Sequence, residues 1–387
     1  MKRCFSIFLT LAAVIGLMSC NKNAPAAAGD SPEAVPDATL TVNIGMENEA
    51  VKATTAQVKD YQINKVQVFV FDAAEKLETS YYEQGLDKNT THSVKIATFT
   101  GNKTVYVIVN HNRITHFKPH TTTIANLEAE ITDLSLNTPS SLVMSGKNTV
   151  TVGKYGNNGA AGTDSQIQAV NVYVKRLAAM IQLDNIQVDF RGTDLEGATF
   201  TVQQIYLKNV VGKSRLGVTG LTGTANSAVL PLAIDDATLS NIDNWYNKFT
   251  LQPSGAPAVT FENEINASCS VNGSTTEMGR HLFAYPNRTD SDSHTPATGT
   301  FSPRHTRFVI KAHVKAAAGY SDLDADTFYV FDLPVLAANN IYKITSIKLT
   351  MLGKDNDDKD DDIQAGKIQP AITVDPWNGT TNLSYEF

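Results

Sequence analysis

The sequence has 387 residues, of which 42% are hydrophobic and 18% are charged, and its formal net charge is −7. This length favours two domains rather than one, and the negative charge argues against nucleic acid as a partner. Four common catalytic signatures are missing from the sequence: H-E-x-x-H, the phosphate-binding P-loop, G-x-S-x-G and C-x-x-C. We therefore predict that the chain is not an enzyme.

The N-terminus has the pattern of an export signal. Two basic residues precede an apolar run from Phe5 to Met18, which is shorter than the roughly 20 apolar residues of a membrane-spanning helix. The stretch Leu17–Cys20, "LMSC", resembles the lipobox of bacterial lipoproteins, in which the cysteine is lipidated and becomes the mature N-terminus. We predict a signal peptide over residues 1–19 and lipidation of Cys20. The alternative is an ordinary signal peptide that happens to contain a cysteine.

Residues 20–37 are polar and rich in Ala and Pro, which predicts a flexible tether. The next segment, "ATLTVNI", alternates Leu40, Val42 and Ile44 with polar residues and predicts a half-buried strand. The segments "NKVQVFVFD" and "KTVYVIVN" are dense in β-branched and aromatic residues and predict interior strands. One helix is predicted in this half, with a capping threonine at its start and an apolar face formed by Ile124, Leu127, Ile131 and Leu134.

A loop rich in Gly and Asn, from Gly153 to Ser165, precedes a second half of similar character. Its strand-like segments run from "QAVNVYVKRLAAMIQLDNIQV" to "AITVDPW", with polar turns between them. We predict an all-β fold of two antiparallel β-sandwich domains, residues 38–166 and 167–387, with a few short helices. Only Cys269 remains in the mature chain beside Cys20, so we predict no internal disulfide.

Two polar clusters invite a metal hypothesis. The segment "NHNRITHFKPH" contains His111, His116 and His120, but their spacing matches no standard zinc pattern, and we predict solvated loop histidines. The acidic run Lys354–Asp362 lacks the glycine and the distal glutamate of a calcium-binding EF-hand loop. We predict a solvated loop there, with adventitious calcium binding as the alternative. No metal site is predicted.

Seven segments, in chain order, resemble the fimbrillins of Bacteroidales, the subunits of type V pili. They are the lipobox, "ATLTVNI", "INKVQVFVFDAAEKLE", "TVYVIVNHN", "VYVKRLAAMIQL", "NNIYKITSIKLTMLG" and "ITVDPWNGTTNLSYEF". The resemblance implies transthyretin-like sandwiches without a cofactor. It also implies a lipid anchor in the cell outer membrane and assembly with other fimbrial subunits into a surface fimbria that supports adhesion and biofilm. The ligand on a host or bacterial surface is not specified by the resemblance.

The resemblance further implies assembly by strand exchange. In fimbrillins a trypsin-like protease removes the N-terminal segment with the first strand, and a C-terminal strand of another subunit fills the groove that is left. In this sequence "ATLTVNI" would be lost by cleavage between Lys52 and Ala53. The best-known members are cut after Arg, and no Arg lies between Arg3 and Arg113. Either a protease that accepts Lys52, or else Lys59, acts here, or the chain is not cut.

The C-terminal residues carry the predicted donor strand. The apolar residues of two short alternating stretches would enter the groove: Ile372, Val374, Leu383, Tyr385 and Phe387. Two other functions remain open at this point. One is an uncut, lipidated anchor fimbrillin. The other is a surface glycan-binding lipoprotein of tandem β-sandwiches, against which burial of Trp245 and Trp377 would count.

Overall fold

The structure is a computed structural model. It describes residues 35–46, 62–89, 91–153, 168–221, 231–251, 257–258, 265–289, 304–319, 322–357 and 373–376. Contacts between Cα atoms separate Met1–Val35 from one compact unit, Pro36–Phe387, to which the fold below belongs.

Strands dominate the described residues. The first ten are β1 (Ala38–Met46), β2 (Ile63–Phe71), β3 (Leu77–Asn89), β4 (Thr91–Thr98), β5 (Gly101–Val109), β6 (Ile131–Asp133), β7 (Met144–Val152), β8 (Gln168–Arg176), β9 (Ala179–Asp189) and β10 (Thr199–Val211). The others are β11 (Lys213–Arg215), β12 (Trp245–Leu251), β13 (Pro257–Ala258), β14 (Ala267–Cys269), β15 (Asn272–Ala284), β16 (Arg307–Lys315), β17 (Asp324–Asp332), β18 (Asn340–Leu349) and β19 (Thr373–Pro376). The helices are α1 (Ile124–Ala129), α2 (Asp236–Leu239) and two 3₁₀ turns at Leu134–Leu136 and Ile242–Asn244. The predicted all-β fold is confirmed.

The first strands form one sheet of seven, in the order β3-β2-β5-β7-β8-β1-β4. Aliphatic side chains of β1, β4 and β8 pack in a single core with those of β2, β5 and β7, so the sheet folds over onto itself as a sandwich. The two halves join where Met144 and Ser145 of β7 pair with β8. At this corner a Cβ on Gly146 would lie 2.3 Å from the carbonyl oxygen of Tyr173. Only glycine allows the two strands to approach so closely.

Most of the later strands form two larger sheets, in the orders β13-β12-β10-β16-β17, with β14 on β10, and β15-β9-β18-β19, while β11 pairs with β6 in a two-stranded sheet. Their apolar side chains share a core that includes the fully buried Phe190, Phe283 and Ile344. The same core continues into β2 and β5 through Phe69 and Ile108. The placement of a domain boundary between residues 166 and 167 remains a prediction.

Two of the sheets are mixed, whereas we predicted antiparallel ones; the sheet around β10 is antiparallel as predicted. β1 runs parallel to β8, and β18 runs parallel to β9. Parallel neighbours need a long connection, and here β2 to β7 lie between β1 and β8 in the chain. The residue pattern of a strand shows which face is buried, but it carries no information on the direction of a partner so distant in sequence.

The predicted helix is shorter than expected. It begins at Ile124, and Thr123 caps it: the amide of Asn126 donates to Thr123 Oγ1 at 3.2 Å, and the Thr123 amide donates to Asn126 Oδ1 at 2.9 Å. It ends at Ala129, because the following residues leave the helix to pair as β6 with β11. Ile131 is therefore 44% exposed and was wrongly assigned to the helix face.

Candidate functional site

The first strand lies in the interior of its sheet. β1 pairs antiparallel with β4 from Ala38 to Gly45 and parallel with β8 from Leu40 to Met46. Both backbone edges of this strand are therefore hydrogen-bonded to neighbours, although it is the first strand in the described part of the chain. Removing β1 would open a groove between β4 and β8 with unpaired N–H and C=O groups on both walls.

The inner face of β1 is part of the core. Leu40 and Val42 are fully buried and Ile44 is 2% exposed, so the alternation predicted from the sequence is confirmed. These side chains pack with valines of β2, β5 and β8. Burying a side chain of this size stabilises a fold by about 1.5–3 kcal/mol. β1 therefore fills the groove between β4 and β8, which another segment with apolar residues at alternate positions could occupy.

The outer face of β1 is polar and contacts both neighbours at one point. Asn43 lies directly opposite Ser93 of β4 and Asn171 of β8. The Ser93 hydroxyl donates to Asn43 Oδ1 at 2.8 Å, and Asn43 Nδ2 donates to Asn171 Oδ1 at 3.0 Å. One side chain of β1 thus links β4 to β8 across the outer face.

A buried ion pair connects β3 and β5 with the end of β4. Lys103 Nζ donates to Glu78 Oε2, and the two side chains are 3% and 5% exposed. The second oxygen of Glu78 accepts from the Thr98 hydroxyl and, at 2.8 Å, from the Phe99 amide. Glu78 therefore ties the end of β4, one wall of the groove, to β3 and β5 without using any atom of β1.

The turn between β4 and β5 also contacts the start of β1. The Thr100 amide donates to Asp37 Oδ1 at 2.9 Å, so a residue just before β1 holds the same turn that Glu78 holds. This contact would be lost with the strand, whereas the contacts of Glu78 would remain.

Sequence reasoning missed the Glu78–Lys103 pair. The sequence nevertheless indicated a buried lysine, because Lys103 lies on the same face of β5 as the buried valines at alternate positions, Val105, Val107 and Val109. A lysine on the buried face of a strand needs a partner, and the sequence alone did not identify which acid provides it.

Of the predicted donor residues, Val374 lies in the described part of the chain. It belongs to β19, an edge strand of its sheet, and pairs with Tyr342 of β18. The other residues with a predicted role in lipidation, cleavage or strand donation lie outside the described part of the chain: Cys20, Lys52, Ala53, Ile372, Leu383, Tyr385 and Phe387.

The three histidines do not form a metal site. His116 and His120 are exposed, as predicted, and His116 Nε2 lies 3.3 Å from Glu130. His111 is half-buried, its Nδ1 lies 2.7 Å from the Asn112 carbonyl oxygen, and burial lowers its pKa below the ordinary value. Within the described residues, no group of three or more His, Cys, Asp or Glu side chains is placed to hold a metal ion.

The acidic run is not wholly solvated, and the prediction was wrong at Asp357. Lys208 Nζ donates to Asp357 Oδ1 at 3.2 Å, and the Tyr206 hydroxyl donates to Oδ2 at 2.7 Å. The Asp357 side chain is 17% exposed and Lys208 is 9% exposed. This part of the run therefore packs on β10 through an ion pair, because a basic residue of that strand needs an acid. Residues 358–362 lie outside the described part of the chain.

Trp245 is 9% exposed, and its Nε1 donates to the Leu239 carbonyl oxygen at 2.8 Å. It therefore presents no open ring for stacking on a sugar. Trp377 lies outside the described residues. No helix among the described residues is long and apolar enough to cross a membrane.

These features define a class of protein: a β-sandwich protein whose first described strand lies in the interior of a sheet and pairs with strands that are distant in sequence. Two solved structures share the fold. A candidate cell adhesion protein from Bacteroides eggerthii is 18% identical, with a TM-score of 0.55 over 89% of this chain and 97% of that chain. One from Parabacteroides distasonis is 15% identical, with a TM-score of 0.56 over 89% of this chain and all of that chain. At such identities the likeness shows the fold alone.

The family follows from the sequence. Residues 38–176 match the model of the major fimbrial subunit protein (FimA) family. The predicted resemblance to the fimbrillins is thereby confirmed for this segment, which holds all seven strands of the first sheet. None of the curated proteins matches the chain.

Proposed function

We propose that this chain is a structural subunit of a cell-surface fimbria that is exported as a lipoprotein and polymerises by protease-triggered donor-strand exchange. The position of β1 carries the proposal. This strand supplies core side chains and is paired on both edges, yet it is the first strand that the structure describes and follows the segment predicted to be a tether. The family match over residues 38–176 supports the same conclusion.

The energetics favour refilling of the groove once β1 is gone. Loss of Leu40, Val42 and Ile44 would expose a core that is buried in the closed protein. Each lost side chain removes about 1.5–3 kcal/mol of stabilisation from burial. The unpaired edges of β4 and β8 would add unsatisfied backbone groups. A new strand with apolar residues at alternate positions would bury the core again and would also pair with the backbone groups of β4 and β8. In the intact chain β1 occupies the groove, so cleavage acts as the trigger.

The donor residues in this proposal are those of the two C-terminal stretches: Ile372, Val374, Leu383, Tyr385 and Phe387. The partners are further copies of the chain and accessory fimbrial subunits, and the precursor is held at the outer membrane by lipid on Cys20. β19 pairs with β18 in the structure described here.

Mild trypsin tests the trigger. We expect protein that begins at Asp37 to remain monomeric until it is cut after Lys52, and then to form polymers with Ala53 as the new N-terminus. The double variant Lys52→Gln/Lys59→Gln should stay uncut and monomeric, while exposed Lys118→Gln, with the same change of side chain at a site away from the groove, should behave as wild type. N-terminal sequencing and size-exclusion chromatography give the readouts. Cleavage that starts inside β2, or cleaved protein that stays monomeric, would contradict the proposal.

A second expectation concerns the lipid. Cys20→Ser should abolish acylation, because serine has no thiol with which to form the thioether. Incorporation of radiolabelled fatty acid in the producing cell measures this, and Cys4→Ser provides the matched control that should remain acylated. Label in the Cys20→Ser variant at the level of wild type would show that "LMSC" is not a lipobox.

The same material separates a shaft subunit from an anchor. Protein recovered from the cell surface with Ala53 at its N-terminus is a processed, polymerising subunit. Protein recovered with an acylated Cys20 at its N-terminus, in mature fimbriae, is an anchor.

A further inference from the structure

The outer face of the groove offers a set of hydrogen-bond donors to an incoming strand. With β1 in place, the Ser93 hydroxyl donates to Asn43 Oδ1 at 2.8 Å, and Asn171 accepts from the Asn43 amide at 3.0 Å. The backbone at Asn171 is itself held by β7, because Asn148 Nδ2 donates to its carbonyl oxygen at 2.8 Å. When Asn43 leaves with β1, a hydroxyl and an amide on two different strands lose their common partner.

A carboxylate suits this position better than any other group. The Ser93 hydroxyl already donates there, and the Asn171 side chain can turn its NH₂ toward an acceptor. Lys95 is exposed on the same outer face, two residues from Ser93, opposite Thr41. Diagonal neighbours in a sheet lie within reach of a long side chain, so the lysine adds a positive charge. A hydroxyl, an amide and an ammonium group together favour an acidic residue.

The C-terminal sequence carries an acidic residue in the matching place. Leu40–Ile44 reads "LTVNI" and Leu383–Phe387 reads "LSYEF". Both run apolar, hydroxyl, apolar, polar acceptor, apolar, in the same direction along the chain. Aligned in this way, Glu386 takes the place of Asn43. Laid in the opposite direction, the segment would place Ser384 there instead.

The other predicted donor stretch has a similar pattern but fails at one residue. In "ITVDP", Ile372–Pro376, an aspartate would take the place of Asn43 and Pro376 that of Ile44. Ile44 is paired with a residue on each side, His92 of β4 and Val172 of β8. Proline has no N–H to donate and is excluded from interior strands. This stretch is therefore the poorer occupant of the place of β1.

We propose that Ser93, Asn171 and Lys95 recognise Glu386 of a second copy of this chain and thereby fix the register and direction of the incoming strand. This inference rests on the proposed function, since it concerns the same groove. The apolar residues of the donor provide affinity, and the acidic residue determines the single register in which they enter. Tyr385 is larger than Val42, so the valines around it must repack.

Disulfide cross-linking of the full chain tests the register. After trypsin, polymers of the variant Asn171→Cys/Glu386→Cys should become covalent ladders on a non-reducing gel. The pair Asn171→Cys/Ser384→Cys reports a shifted or reversed strand, and Asn171→Cys/Asp375→Cys reports the other stretch. Asn43→Cys/Asn171→Cys in the uncut chain shows that the geometry permits a bond, and buried Cys269 is common to all variants.

The outcomes separate the inference from the proposed function. Ladders from the Glu386 pair alone support the register. Ladders from either other pair in its place, or polymers that do not cross-link through Glu386, overturn the register and leave strand exchange standing. Wild-type protein that is cut and forms no polymer overturns the proposed function, and the inference falls with it.

A charge change tests recognition independently. Asn171→Asp should leave the uncut monomer stable, because the Asn43 amide can still donate to a carboxylate. It should weaken polymer formation about fivefold, because Glu386 would face a like charge, and Glu386→Gln should restore it. Asn102→Asp is the matched control, since Asn102 also accepts a hydrogen bond on an exposed face, at 2.8 Å from the Thr151 hydroxyl. Polymerisation of Asn171→Asp equal to that of Asn102→Asp would refute recognition of an acid.

Discussion

Replacing Leu383, Tyr385 and Phe387 together with serine is expected to abolish polymerisation of the cut protein. If these residues fill the places vacated by β1, each contributes about 1.5–3 kcal/mol by leaving water. Loss of all three weakens the contact between subunits by at least about a thousandfold. Size-exclusion chromatography and electron microscopy after trypsin treatment measure the result.

The outward-facing change Ser384→Thr is the control for this variant. It keeps a hydroxyl on the solvated face of the strand and should polymerise as wild type. Fibres from the triple-serine variant at wild-type yield would show that these residues are not the donor. A triple-serine variant that fails to fold, by circular dichroism, would show that the segment belongs to its own domain.

Breaking the buried ion pair is expected to destabilise the first sandwich strongly. Glu78→Gln or Lys103→Met leaves the other charge in a site where the side chains are 3% and 5% exposed. Loss of one partner from such a pair costs about 3–5 kcal/mol. Urea denaturation of the uncut protein measures the free energy of unfolding.

Two further variants identify the cause. In Glu78→Gln/Lys103→Met no buried charge is left unpaired, so the loss should be smaller than the sum of the single losses. Lys315→Met removes an exposed ion pair, Lys315 Nζ to Asp324 at 2.7 Å, and should cost at most about 1 kcal/mol. If Glu78→Gln costs no more than Lys315→Met, the buried pair does not stabilise the fold.

The ion pair also matters for the groove. Glu78 holds the end of β4 to β3 and β5 through Thr98, Phe99 and Lys103, whereas the contact of Asp37 with the same turn leaves with β1. The walls of an empty groove would otherwise be free to close over the exposed core. We therefore expect variants of this pair to lose polymer yield at temperatures where the uncut monomer is still folded.

The residue pattern was sufficient for the local features of the functional strand. Leu40, Val42 and Ile44 alternate with polar residues, and these three side chains are the buried ones. Period-two alternation is a property of consecutive residues and needs no knowledge of the partner. The same holds for the start of α1, where Thr123 caps the helix through residues three positions away. The resemblance of residues 38–176 to the fimbrial subunit family was also predictable from the order of such segments.

Only the tertiary structure decided what those strands pair with. β1 lies between β4, to which it is antiparallel, and β8, to which it is parallel. The residues opposite Asn43 in these strands, Ser93 and Asn171, are 50 and 128 positions away in the sequence. Two predictions were wrong because of such distant pairing: Ile131 lies in a strand and not in the predicted helix, and Asp357 forms an ion pair and is not solvated. Each is bound by a partner distant in the chain, β11 for the strand of Ile131 and Lys208 for Asp357. Such pairings are chosen by the free energy of the whole core, which no local stretch of sequence encodes.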